Sequence, residues 1–485
     1  MSKKALKVLL VSAEVAPFAK TGGLADVAAA LPKALSAMGH DVRIVMPKYR
    51  IVGDINNYVA DFGVSVGNRI ETIVVHEQYL PLFTGSETKG VKVYMLGNAN
   101  YFDRDGIYGH EDDGERFALL CKASLELIDA IDFVPDIIHC NDWHTGPLPM
   151  LLKELYLENS KYKNIKTLFT IHNMEYQGHF NKTLLNFMGL NQDIFTSELV
   201  EFYGTLNFMK AGLIYSDKIN TVSRTYAKEI ATAEFGERLD GLVRQRENDI
   251  CGIVNGIDTD IFNPETDIHL QFNFDDKGIE KKTINKWQLQ KELGLNEGDF
   301  PLAAMVSRLA SQKGLDIVLE ALPKLINKGL QFVLLGLGEP FFEEKFKELS
   351  TLYPQMVYCS NSFNPPLAQR IYGSCDLFLM PSKFEPCGLG QLIAMRYGGI
   401  PVVRETGGLA DTVKDFASSD GDGNGFVFTE SSSEAFSYAV ERAMILYKSS
   451  KKDFFSLQSS NMKMDYSWRK SAIEYEELYF KIIES

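Results

Sequence analysis

A chain of 485 residues has room for roughly two to four domains, each with its own core. Its formal net charge of −14 argues against a general nucleic-acid binder and means that an anionic substrate must be held by a local group of Lys and Arg. With 45% hydrophobic and 24% charged residues it reads as an ordinary soluble protein. No apolar run approaches the roughly 20 residues that a membrane helix needs.

Residues 7–13 read as a buried strand. Lys7 and Glu14 interrupt the apolar stretch, so it is expected to be a first strand of a cytoplasmic protein, not a secretion signal. The six cysteines lack metal-type spacing and read as reduced thiols, again with cytoplasm as the expected compartment. Lys20-Thr21-Gly22-Gly23-Leu24 forms a turn before a helix over 24–38, closed by Gly39, and a strand over 41–46 completes a βαβ unit. Short β-like runs fill 73–96, a Gly/Asp-rich loop 101–114 and a helix 117–131. Strands at 136–140 and 166–171, a helix at 207–215 and strands at 218–222 and 250–254 follow. A turn-rich boundary at 255–263 ends in Pro264. Beyond it strand and helix alternate again: 302–306, 315–326, 332–335, 367–374, 377–380, 389–397 and 400–403. Thr406-Gly407-Gly408-Leu409-Ala410-Asp411 then repeats Thr21–Asp26 residue for residue, without the preceding lysine. A last amphipathic helix over 467–483 aligns Trp468, Ala472, Tyr475, Leu478 and Ile482. The expected fold is α/β, two doubly wound Rossmann-like domains facing a cleft, with domains 1–254 and 255–462 and a terminal helix 463–485 crossing back to the first.

In parallel sheets, ligands collect beyond the carboxyl ends of the strands. There the sequence sets Asn141-Asp142-Trp143-His144, His172-Asn173, Ser307-Arg308 with Lys313-Gly314, and Glu385-Pro386-Cys387-Gly388-Leu389. Arg308 and Lys313 offer the forked and compact cations that suit a diphosphate. The backbone N–H groups at Gly388-Leu389 open a helix and suit an anion. Glu385 is either a ligand for sugar hydroxyls and anomeric charge or a carboxylate on a helix dipole. His172 is either a substrate hydrogen-bonder or a structural histidine; Asp142 and Trp143 equally suit a cap and a core. Asp258-Thr259-Asp260 resembles a divalent-metal signal but sits in a turn, where Asp is favoured anyway. Asp420-Gly421-Asp422-Gly423-Asn424-Gly425 imitates a calcium loop but has Ser431 at the twelfth position, so no metal is expected.

Taken together, Lys20–Leu24, Asn141–His144, His172-Asn173-x-x-Tyr176-Gln177-Gly178, Val254-Asn255-Gly256-Ile257-Asp258, Ser307-Arg308-Leu309-x-x-Gln312-Lys313-Gly314 and Glu385–Leu389 resemble the bacterial and plastid glycogen (starch) synthases, over nearly the whole chain. The resemblance implies the GT-B fold and a metal- and cofactor-free, retaining transfer of glucose from ADP-glucose to the 4-hydroxyl of an α-1,4-glucan. It further implies that Lys20, Arg308 and Lys313 hold the diphosphate with help from Gly22, Gly23 and Gly388. By the same resemblance, Glu385 and His172 hold the glucose, Asp142 and Asn255 line the site, Phe363 stacks on adenine, and Cys387, Leu389 and Thr406 complete the donor pocket. The chain departs from many relatives at Gly390 and Gly399. Competing expectations are a UDP-glucose-preferring synthase and a non-catalytic glucan-binding homologue.

Overall fold

A computed structural model describes residues 4–82, 90–417 and 423–484. By internal packing the chain divides into two units, Met1–Asn255 with Trp468–Ser485, and Gly256–Ser467.

The first unit is built on nine strands. In chain order they are β1 (Lys7–Val11), β2 (Asp41–Pro47), β3 (Tyr58–Val66), β4 (Arg69–Leu80), β5 (Val91–Gly97), β6 (Ile137–Asn141) and β7 (Lys166–Ile171), then β11 (Lys218–Thr221) and β12 (Ile250–Gly252). Between them β8 (His179–Phe180), β9 (Glu201–Phe202) and β10 (Thr205–Asn207) form a separate small sheet. The large sheet has the order β12-β11-β7-β6-β1-β2-β5-β4-β3. It is parallel from β12 to β5, and β4 then pairs antiparallel with both β5 and β3. That antiparallel meander is the part the short β-like runs only hinted at. The central strands bury both faces: Leu9 and Val11 join one hydrophobic cluster while Val8 and Leu10 join another. The chain leaves β1 toward β2 and later returns to β6 on the opposite flank, so the order reverses at the β1–β6 seam. In such sheets the ligand crevice lies beyond the carboxyl ends of the strands at that reversal.

The second unit repeats the plan with six parallel strands: β13 (Leu302–Val306), β14 (Gln331–Leu335), β15 (Val357–Ser360), β16 (Leu377–Met380), β17 (Ile400–Arg404) and β18 (Phe426–Phe428). Their order, β15-β14-β13-β16-β17-β18, reverses at the β13–β16 seam.

Helix Trp468–Glu484 belongs to the first unit. Trp468, Ala472, Tyr475, Leu478 and Ile482 are all buried there. Its phenols reach polar groups on the sheet: His139 Nδ1 lies 2.8 Å from the Tyr479 hydroxyl, and Asn220 Nδ2 donates to the Tyr475 hydroxyl at 3.0 Å. Among the described residues no helix is long and apolar enough to cross a membrane, and all six cysteines are free thiols.

Candidate functional site

At the first seam the loop after β1 carries the Lys20–Leu24 turn, and β6 ends on Asn141, with Asp142 next in the chain. Helix Gly23–Ala37 starts directly from the turn, one residue earlier than the sequence suggested. Gly22 has an extended backbone (φ −152°), and a Cβ built on it meets nothing within 4 Å. Glycine is therefore required there neither by backbone strain nor by the protein's own packing. Lys20, partly exposed, pairs with Asp26 at 2.7 Å.

What organises this turn is Glu14, a residue sequence reasoning used only to break the apolar run. Its carboxylate, 3% exposed, accepts Thr21 N–H at 2.5 Å, Thr21 Oγ1–H at 2.6 Å, Gly22 N–H at 3.2 Å and the Tyr108 hydroxyl at 2.5 Å. The Gly22 N–H, expected to face a diphosphate, is thus held by an internal carboxylate.

Asp142 is buried and sits at φ 63°, ψ 176°. Only glycine populates that region readily, and such strain, about 1–3 kcal/mol, concentrates at functional positions. Its Oδ1 accepts Trp143 N–H at 2.7 Å, so the capping role is real as well. Burial pushes its carboxyl up to about 7, against the backbone N–H groups that favour the anion, and the neighbouring Glu14 charge adds to the rise. His172 follows β7. Asn141 Nδ2 donates to Val11 O and His139 O, which turns Asn141 Oδ1 toward His172 Nε2 at 3.0 Å. His172 therefore carries its proton on Nε2 and leaves Nδ1 as an acceptor. Burial pushes its pKa down to about 3, so the ring is neutral throughout the ordinary working range. Asn255 is buried, and its Oδ1 has no partner among the described residues. A buried orphan acceptor of this kind calls for a ligand or water.

At the second seam β13 runs into Arg308 and the Ser311–Lys313 turn, and β16 into Ser382 and Glu385. Lys313 Nζ lies 2.6 Å from Glu385 Oε2, which also accepts Ser382 Oγ–H at 2.9 Å. The side chains are 17% and 7% exposed, a largely buried pair. Arg308 is exposed and forms no ion pair among the described residues. Phe363 is 75% exposed, between β15 and helix Pro365–Ser374. Gly388 has φ +73° and Leu389 precedes helix Gly390–Arg396; Cys387 O accepts Gln391 Nε2–H at 3.1 Å. Thr406, buried, starts helix Gly407–Thr412.

The two Gly-Gly turns are alike in sequence and different in reason. In the second, a Cβ on Gly407 or Gly408 would lie 2.0 or 2.1 Å from the carbonyl oxygens of Glu385 or Cys387, while Gly408 N–H donates to Glu385 O at 3.0 Å. These glycines let one loop press against the backbone that carries Glu385. Gly408→Ala is accordingly expected to destabilise the second unit by about 1–3 kcal/mol, as overpacking does. Gly22→Ala is expected to leave the thermal midpoint unaltered; a melt of each variant checks both.

Of the metal-like patterns, Asp258 Oδ1 accepts the N–H groups of Asp260 and Ile261 at 3.1 and 3.3 Å, an Asp-capped turn. The calcium-loop imitation at 420–425 lies partly outside the described residues.

Two doubly wound units, each with charged groups beyond its seam strands, define a GT-B-type glycosyltransferase. Residues 7–245 match the starch synthase catalytic domain family and residues 285–453 the glycosyl transferases group 1 family. The glycogen synthase of Moorella thermoacetica is 48% identical over 481 residues, covering 99% of this chain and 98% of that protein. That of Clostridium acetobutylicum is 47% identical, covering 99% and 100%. The catalytic domain of starch synthase IV from Arabidopsis thaliana, solved with ADP and acarbose, superposes with a TM-score of 0.91 at 35% identity, covering 99% of this chain and all of that one. A sucrose-phosphate synthase from Thermosynechococcus elongatus shares the fold alone, with a TM-score of 0.63 at 16% identity. The chain belongs to the glycogen synthase family.

Proposed function

We propose that this protein transfers glucose from ADP-glucose to the non-reducing 4-hydroxyl of an α-1,4-glucan, with retention at the anomeric carbon and release of ADP. The observation that carries the reading is the Lys313–Glu385 pair beyond the ends of β13 and β16, with exposed Arg308 on the same loop after β13. Two cations and one carboxylate are the groups a sugar diphosphate calls for, which supports the reading.

In this reading Arg308, Lys313 and Lys20 neutralise the charge that grows on the departing ADP. Preorganised charge of this kind is usually the largest single term in such catalysis. Glu385 and the neutral His172 hold the glucose, His172 through its free Nδ1. Asp142 and Asn255 line the site, Phe363 meets the adenine, and Gly22, Gly23, Cys387, Gly388, Leu389 and Thr406 shape the donor pocket. The bond from the anomeric carbon to the phosphate oxygen breaks as the acceptor oxygen bonds on the same face. The acceptor proton passes to the leaving phosphate. The compartment follows the same reading: glycogen is made where ADP-glucose is, in the cytoplasm.

The test is glucose incorporation into glycogen from ADP-glucose and UDP-glucose side by side. Transfer from ADP-glucose well above UDP-glucose is expected. Preference for UDP-glucose would correct the nucleotide, and no transfer from either would end the reading.

A pH dependence follows from Asp142. Its carboxyl, ordinarily near 3.8, titrates near 7 when folded. Between those values the folded protein keeps a proton that the unfolded chain has lost. The stability this gives is present below about 4 and is lost as pH rises through 7. Turnover should rise through the same upper limb as the carboxylate forms. Asp142→Asn should flatten both the thermal midpoint between pH 5 and 7.5 and that limb of the rate profile; a limb unchanged in the variant removes the assignment. His172, neutral above about 3, contributes no limb in this range.

A further inference from the structure

His139 and Asn141 lie two residues apart on β6, and Thr170 and His172 two apart where β7 ends, so the four share one face of the sheet. In the inner row each polar atom has one fixed role. Asn220 Nδ2 donates to the Tyr475 hydroxyl at 3.0 Å, which leaves Asn220 Oδ1 to accept the Thr170 hydroxyl proton. Thr170 Oγ1 then accepts from His139 Nε2 at 2.6 Å, and His139 Nδ1 accepts from the Tyr479 hydroxyl at 2.8 Å. His139 is fully buried, and both its nitrogens are engaged inside the protein.

The outer row repeats the proton arrangement and leaves one nitrogen over. Asn141 has no exposed surface. Reversing its amide would set its oxygen against Val11 O and His139 O, and its NH2 against the His172 ring. The amide is therefore locked with Oδ1 on His172 Nε2. Its neighbour Asp142 accepts the backbone N–H groups of His172 and Asn173. Two consecutive residues after β6 thus grip the ring and the backbone of His172. Nδ1 has no hydrogen-bond partner among the described residues. In a neutral ring with its proton on Nε2, that nitrogen accepts and cannot donate. A sugar hydroxyl can meet it; a fluorine in the same place cannot, because it brings no proton. Sites built to meet a hydroxyl reject the analogue lacking it more sharply than they reject a change of bulk.

We propose that Asn141 is a positioning residue of the transfer site: it keeps His172 an acceptor, so the site admits only a sugar that turns a hydroxyl proton toward Nδ1. The inference rests on the glucosyl-transfer reading. Asn141→Leu removes the amide oxygen at similar volume. The ring then escapes an unmet Nε2–H by moving its proton to Nδ1, which now donates. Ring-15N histidine spectra, with His172→Gln for assignment, should show Nε2–H at His172 in the wild type and Nδ1–H in Asn141→Leu. The His139 signals, from the inner row, should stay where they are. Initial transfer to glycogen is then measured with ADP-glucose and with analogues carrying fluorine for the 3-, 4- or 6-hydroxyl. One analogue should fall about 30-fold further below ADP-glucose in the wild type than in Asn141→Leu, the scale of one acceptor left unmet. The inductive penalty of fluorine is common to both proteins and cancels in that comparison. Nδ1–H at His172 in the wild type would overturn the proposal without any variant. So would equal penalties in the two proteins. His139 signals that move together with those of His172 would also overturn it, by making Asn141 a structural amide. An inversion at His172 alone, in a protein inactive with both ADP-glucose and UDP-glucose, would end the transfer reading and uphold the hold of Asn141 on the ring.

Discussion

Lys313→Ala is expected to lower glucose transfer on the order of 1,000-fold, the scale of losing a preorganised charge at a departing anion. The reason lies in how rigidly the ammonium is held. Its Nζ is 2.6 Å from Glu385 Oε2. The turn that carries it is fastened to the Glu385 segment by Lys383 N–H to Gln312 O at 2.8 Å and Gln312 Nε2 to Phe384 O at 3.1 Å. The same substitution leaves Glu385 buried with, among the described residues, only Ser382 to donate to its side chain, which costs about 3 kcal/mol, the low end for removing one partner of a buried pair. Loss of activity and loss of stability are separable. Lys313→Ala combined with Glu385→Gln should recover most of the thermal midpoint, because no buried charge is left unpaired, and recover none of the rate. Rates within ten-fold of wild type in the single variant would remove Lys313 from the diphosphate assignment. Arg308→Ala should cut the rate comparably with little change in the midpoint, since that guanidinium is exposed and unpaired among the described residues.

The strand-end motifs were legible because a strand buried on both faces reads as an unbroken apolar run, so the residue that ends it stands out. β7, β13 and β16 begin and end where the sequence placed them. One helix absent from the sequence reading hides its inward face behind charge. In helix Lys282–Glu292, Lys282 Nζ donates to the carbonyls of Tyr372 and Tyr397 at 2.6 and 2.8 Å, and Lys286 pairs with Asp376 at 2.9 Å. Two buried lysines make a packed face look solvated, and burial draws Lys282 down to about 8. The paired Gly-Gly turns were legible as a repeat, but their purposes were not. Which glycine is jammed against a carbonyl and which faces open space depends on neighbours distant in sequence.

Glu14 shows the same limit, and it carries the last expected result. Glu14→Gln should reduce turnover on the order of 100-fold and raise KM for the donor, as misplacement of a positioned group does. An ionised carboxylate is acceptor-only, and Glu14 meets four donors, one of them from Tyr108, 94 residues away. Glutamine presents an NH2 to at least one of those donors, so one N–H or O–H is left facing another, and the turn bearing Lys20 loses its anchor. Tyr108→Phe removes one donor and keeps three; it should cost about 1.5–3 kcal/mol, the range for a bond to a charged group, and leave the turn in place. A purely structural anchor would lower the thermal midpoint and do no more. The distinguishing readout is electrostatic. Glu14 is one of the charges that raise Asp142, so Glu14→Gln should let Asp142 ionise at lower pH and move the rising limb of the rate profile in that direction. A variant with a lowered midpoint and an unmoved limb would make Glu14 a strut; one with a wild-type rate would detach it from the site altogether. A shifted limb with a depressed rate makes this buried carboxylate the group that sets both the shape of the Lys20 turn and the charge state of the residue beside it.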